Sequence, residues 1–101
     1  MVGLVDLREY ELVYVLKPDL TEDQLTAEQD YVKNAVAGLG GEVKKEDVWG
    51  IKPLPFEIKK YKEGFFCLLH LGMEPDAPAK LEYELKINDR IIRNMLTIKK
   101  N

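Results

Sequence analysis

From Arg8 to Lys17 the chain alternates, with Tyr10, Leu12, Tyr14 and Leu16 at period two and β-branched Val13 and Val15 between them. This pattern predicts a strand with one fully apolar face. Pro18 stops it, and Thr21 then stands three residues before Gln24, the spacing at which a hydroxyl accepts from the N3 amide while the side-chain amide reaches back. Leu25, Val32, Val36 and Leu39 follow at helical spacing, acids cluster in the first turns where the helix dipole favours them, and Gly40-Gly41 supplies a left-handed stop. A helix from about Thr21 to Leu39 is expected, with Glu28 on its solvated, acidic outer side.

The stretch from Glu42 to Lys59 is strand-like but interrupted by Pro53 and Pro55, which lack the amide hydrogen a ladder needs. Prolines two apart remove donors on the same side, so this strand belongs at a sheet edge. Tyr61-Lys-Glu-Gly64 reads as a hairpin loop. Phe65-Phe-Cys-Leu-Leu-His-Leu71 is a near-continuous apolar run suited to a central strand. After Gly72 a second helix begins near Asp76, its expected N-cap, with Leu81 and Leu85 as its buried pair. Asn88-Asp89 turns the chain, and a last strand runs from Ile91 to Lys99.

Strand, helix, strand, strand, helix, strand is the order of an α+β ferredoxin-like sandwich. Right-handed crossovers put both helices on one face of a four-stranded antiparallel sheet and pair the first and third strands at its centre. The second and fourth strands become the edges, where the two prolines are tolerable. The chain is expected to form one domain over residues 1–101, with its core at about 8–99. Helices on one side leave the other sheet face open. The third strand is apolar on both faces, Phe65, Cys67 and Leu69 on one and Phe66 and Leu68 on the other, and the first carries Val13 and Val15 opposite its tyrosines. An uncovered apolar face calls for a partner. Phe65, Cys67, Leu69, Val13 and Val15 are the residues expected to meet it.

Composition narrows the function. No apolar run approaches the roughly 18 residues of a membrane span, and Met1-Val-Gly-Leu-Val-Asp6 lacks the basic start and long apolar core of a signal peptide. The expectation is a chain that stays in the cytoplasm, bound to no membrane. A lone cysteine can form neither an internal disulfide nor a zinc cluster, which fits a reducing compartment. The formal charge is −3, unusual for a nucleic-acid binder taken alone, but the charges are segregated. Asp19, Glu22, Asp23, Glu28 and Asp30 lie together without a base, whereas Lys52 to Lys62 holds four lysines and Arg90 to Lys100 two arginines and two lysines.

Chemistry is absent from the pattern. There is no serine, and Cys67 and His70 are three apart in one strand and face opposite sides, so they cannot form a nucleophile pair. Gly38, Gly40 and Gly41 end a helix rather than open one and make no phosphate-cradling loop. No catalytic residue, metal site, cofactor or small-molecule substrate is expected.

Val13-Tyr14-Val15 and Glu63-Gly-Phe-Phe-Cys-Leu-Leu-His70 are superficially similar to the two signatures of an RNA recognition motif. The match degrades: Cys67 stands where the second stacking aromatic belongs, and Glu63 replaces a basic residue. Several segments together resemble another family. Arg8-Glu-Tyr-Glu-Leu-Val-Tyr-Val-Leu-Lys-Pro-Asp-Leu20, Val48-Trp-Gly-Ile-Lys-Pro-Leu54 with Ile58-Lys-Lys60, Gly64-Phe-Phe66 and Leu85-Lys-Ile-Asn-Asp-Arg-Ile-Ile-Arg93 are similar to the bacterial-type small-ribosomal-subunit protein six family. The resemblance runs from about Arg8 to Lys99.

The resemblance implies a structural protein that binds the central domain of small-subunit ribosomal RNA together with a small basic partner, ribosomal protein eighteen. A basic partner would let an acidic protein sit on RNA while its own few bases contact phosphates. Lys52, Lys59, Lys60 and Arg93 match positions where the family tends to be basic, and Arg90 and Lys99 complete the set expected to touch RNA. Pro53 and Glu57 depart from the family's more basic second strand. The sequence ends at Asn101 without the long tail of many members, so tail contacts are not carried over. The competing reading is a ferredoxin-like ligand-binding or regulatory module that homodimerises through its open sheet.

Overall fold

The computed structural model describes residues 7–99; the segments Met1–Asp6 and Lys100–Asn101 lie outside the described residues. Six elements follow one another: β1 (Arg8–Leu16), α1 (Glu22–Gly38), β2 (Glu42–Ile58), β3 (Tyr61–Met73), α2 (Ala77–Lys86) and β4 (Ile91–Ile98). The strands form one antiparallel sheet in the order β2-β3-β1-β4, so the molecule is the ferredoxin-like sandwich its pattern predicts. β2, with its two prolines, is an edge strand.

Local signals set the helix limits. The Thr21 hydroxyl accepts from the Gln24 amide at 3.2 Å, and the Gln24 side chain accepts from the Thr21 amide at 3.0 Å, a complete capping box. Gly40, at φ +77, takes the left-handed position that lets the chain leave α1. Asp76 occupies the N-cap of α2, but its side chain makes no capping hydrogen bond, and the carboxylate instead lies 4.0 Å from Lys80 one turn on.

The core lies between the sheet and the helices. Tyr10, Leu12, Tyr14 and Leu16 from β1 and Cys67, Leu69, Leu71 and Met73 from β3 close against Val32 and Val36 of α1 and Leu81 and Leu85 of α2. Phe65 packs against the same cluster. The expectation that Phe65, Cys67 and Leu69 meet a partner on the open face is therefore corrected: they point under the helices, and Cys67 and Leu69 are completely buried. Period two fixes the consequence, because Phe66, Leu68 and His70 then occupy the open face.

A second correction concerns Glu28. Its side chain is 11% exposed, not solvated, and it accepts from Arg90 Nη1 at 3.0 Å and from Asn88 Nδ2 at 2.7 Å. This pair of bonds ties the second turn of α1 to the turn that leads into β4.

The hairpin between β2 and β3 also differs from expectation. Ile58 pairs with Tyr61, so the turn is the two residues Lys59-Lys60, and Tyr61 to Gly64 belong to the strand. Both lysines have positive φ, +51 and +72. Two left-handed residues are what a tight hairpin turn of primed type requires, and Asn-Gly fills such turns at least cost. A Lys-Lys turn carries no sequence signal, which is why Tyr61-Lys-Glu-Gly64 looked more turn-like.

Candidate nucleic-acid interface

The sheet's pairing produces an arm. β1 pairs with β3 only as far as Leu16↔Phe65, while β2 continues to pair with β3 through Lys52↔Gly64 and Pro53↔Glu63 to the turn. The register breaks between Pro53 and Ile58, where two missing amide donors leave the ladder without bonds to make. Freed there, the chain curls over the open face of the sheet. Leu54 and Pro55 reach across to Val13, Val15, Phe66, Arg93 and Met95, and together they line a cleft of about 230 Å³ that is open to solvent.

Arg93 is the meeting point of the two sheet edges. It stands opposite Val15 on β4, and its guanidinium carbon lies 5.8 Å from the centre of the Phe56 ring on the arm. That is a cation–π distance. Arg93 thus lies on the face opposite the core, against the arm. Lys52 and the turn residues Lys59 and Lys60 are exposed along the same arm.

The other two bases of the expected set lie elsewhere. Arg90 is engaged by Glu28 on the helix side of the molecule. Lys99 sits beyond the end of β4, where its amide donates to the Glu9 carbonyl and its ammonium lies 4.0 Å from the Glu9 carboxylate. Because Tyr10 pairs with Ile98 and Leu16 with Phe65, Lys99 and the arm are at opposite ends of β1. The structure thus sets Lys52, Lys59 and Lys60 along one arm, with Arg93 against its Phe56, and leaves Arg90 and Lys99 apart.

The open face divides along its length. Towards Lys99 it is polar: His70 Nδ1 lies 3.5 Å from Glu11, Lys45 3.8 Å from Asp47 and Lys44 3.9 Å from Glu9. Towards the arm it is apolar, with Val13, Val15, Phe66 and Met95 together. An irregularity between Val48 and Gly50, the latter at φ +81, turns Trp49 onto this half, where its ring stacks on Phe66 at 6.3 Å between centroids and 18° between planes. Trp49 and Phe66 were missed as a pair, because they become neighbours only when β2 and β3 are aligned through that bulge.

Behind the sheet the buried polar atoms are inert. The Cys67 thiol, pushed up to about 11 chiefly by burial, faces Gln29 at 3.9 Å, and His70 is on the other face. Among the described residues no group of three or more His, Cys, Asp or Glu could hold a metal ion, and no helix is long and apolar enough to cross a membrane.

A ferredoxin-like sandwich whose outward features are a cationic arm and a half-apolar sheet face is a protein that works through its surface. Comparison with known proteins gives the class a family: residues 9–98 match the family described as Ribosomal protein S6, and the chain belongs to that family. It is 42% identical to the small ribosomal subunit protein bS6 of Desulforamulus reducens over 90 residues, covering 89% of this chain and 95% of that relative. To the corresponding protein of Clostridioides difficile it is 41% identical, over 91% of this chain and 99% of the relative. The crystal structure of 30S ribosomal protein S6 from Thermotoga maritima superposes with a TM-score of 0.86 at 22% identity, over 92% of this chain and 88% of that one. The protein is accordingly a ribosomal protein of the small subunit, cytoplasmic and structural rather than enzymatic.

Proposed function

We propose that the protein binds the central domain of small-subunit ribosomal RNA in company with its small basic partner, ribosomal protein eighteen. The observation that carries this reading is the arm's turn. Two lysines occupy left-handed positions that asparagine and glycine would fill with less strain. Backbone strain of this kind, about 1–3 kcal/mol per residue, points to a function that outweighs stability at the site. Lys59, Lys60, Lys52 and Arg93 form one cationic end of an otherwise acidic molecule and suit a phosphate backbone, which they would hold without reading sequence.

Met95, with half-buried Val13 and the arm's Leu54, offers apolar surface to the protein partner, whereas Val15, expected to meet it as well, is buried beneath the arm. Exposed acids at the start of α1, Glu22 and Asp23, would attract a basic partner over distance. The reading is tested by sedimentation velocity of the chain, the basic partner and a central-domain RNA fragment, singly and mixed. A ternary complex is expected, formed by a chain that is monomeric alone. A stable homodimer at micromolar concentration that ignores both RNA and partner would contradict it and favour a regulatory module.

A further inference from the structure

Resting on that RNA-binding reading, we propose that Trp49, backed by Phe66, is a stacking platform for an unpaired base of a single-stranded RNA segment that runs onto the arm. Trp49 is 45% exposed although its ring lies nearly parallel to that of Phe66 in an offset stack. An indole held in an offset stack with Phe66 and 45% exposed presents π surface to solvent, and such surface is where single-stranded bases stack.

The charges around it favour a nucleic acid over an apolar protein side chain. From Val48 to Phe66 the arm carries Lys52, Lys59, Lys60 and Lys62 against Glu57 and Glu63, and Arg93 reaches it from β4. Asp47, the nearest acid before Trp49 on the same face, is paired with Lys45. A strand with its base on Trp49 and its phosphates along the arm would meet cations of the right sign. Two-point binding of this kind is general for single strands, where a basic groove follows the backbone and aromatics take the bases. It also differs from the RNA recognition motif, whose stacking residues lie on the first and third strands; here the edge strand supplies the platform and Cys67 plays no part.

The chain has one tryptophan, so 5-fluorotryptophan labelling places a single ¹⁹F reporter on the platform while the basic partner stays unlabelled. The labelled chain with its partner is titrated with an oligoadenylate octamer and with an octamer of the same length lacking bases. The intact octamer should shift the Trp49 resonance upfield and the abasic one should bind more weakly without that shift. Trp49→Leu should weaken the intact octamer by about 5- to 150-fold, leave the abasic octamer unchanged, and be largely rescued by Trp49→Phe. Equal affinity of both octamers for wild type, with no ring-current shift, would overturn the platform while leaving phosphate binding in place. Binding of neither octamer would overturn both the platform and the RNA reading beneath it. A resonance that moves on adding the basic partner alone, and then ignores RNA, would assign Trp49 to the protein interface and also overturn the proposal.

Discussion

Glu28 on α1 and Arg90, 62 positions later, meet at 3.0 Å, and Asn88 completes the carboxylate's bonding at 2.7 Å. The carboxylate is nearly enclosed while the guanidinium is 40% exposed. This charged contact fastens the first helix to the entry of the last strand, the strand that carries Arg93.

Replacing Glu28 by lysine should therefore destabilise the fold, although it lies among solvated acids in the sequence. Removing one partner of a buried ion pair costs about 3–5 kcal/mol. Because Arg90 keeps access to water, a value of about 2–3 kcal/mol is expected from urea denaturation. A change within about 0.5 kcal/mol, as for an ordinary surface site, would show that the pair is dispensable.

The Lys59-Lys60 turn separates stability from function. Lys59→Asn combined with Lys60→Gly gives the turn residues its left-handed backbone prefers and should raise stability by about 1–3 kcal/mol, the relieved strain less the greater freedom of glycine in the unfolded chain. The same change removes two cations and should reduce RNA affinity. Thermal unfolding and RNA titration on one preparation check the two signs together; a variant that is stabilised and binds RNA as well as wild type would remove the functional reason for the strain.

Cys67 makes the core sensitive to alkali. Burial raises its thiol from a usual value near 9 to about 11, and the enclosed Tyr14 hydroxyl is raised as well, chiefly by burial. Between pH 9 and 11 the unfolded chain gives up the Cys67 proton and the folded chain keeps it. Stability thus falls as pH rises through that window, by at most about 1.4 kcal/mol per pH unit. Urea midpoints for Cys67→Ala should decline less steeply over the same range than those of wild type. In the native protein a thiol reagent at pH 7 should leave Cys67 untouched and modify it fully in denaturant.

Leu85, fully buried, closes α2 onto the sheet. Leu85→Ala should cost about 2–5 kcal/mol in urea denaturation, a large share of the ~5–15 kcal/mol of a domain this size. A loss below about 1 kcal/mol would mean that the helix repacks.

What could be read from the sequence was whatever depends on neighbours along the chain. The capping box at Thr21 and Gln24, the alternation through Tyr10–Leu16 and the prolines that demote β2 to an edge all act within a few residues, and each appears as expected. The errors arise where the deciding partner is distant. Phe65, Cys67 and Leu69 sit in a strand apolar on both faces, so alternation alone does not say which face the helices cover. The partner of Glu28 is 62 residues away, and local charge made it look solvated. The functional end was legible only in part: Lys52, Lys59 and Lys60 lie along the arm that Arg93 meets, but Arg90 and Lys99 belong to the same charge clusters and are held elsewhere by Glu28 and Glu9. Charge spacing does not record which end of a strand a residue reaches.

The most direct test of the RNA-binding account is the salt dependence of RNA affinity, measured with the basic partner and a central-domain RNA fragment. Each phosphate contact contributes about 0.7–0.9 to the slope of log affinity against log salt. Lys59→Ala, Lys60→Ala and Arg93→Ala combined should make the slope shallower by about two to three and weaken binding at low salt. Lys99→Ala, at the opposite end of the sheet, should leave the slope at its wild-type value. A triple variant that keeps the wild-type slope, or a Lys99→Ala variant that lowers it as much, would contradict the placement of RNA on the arm.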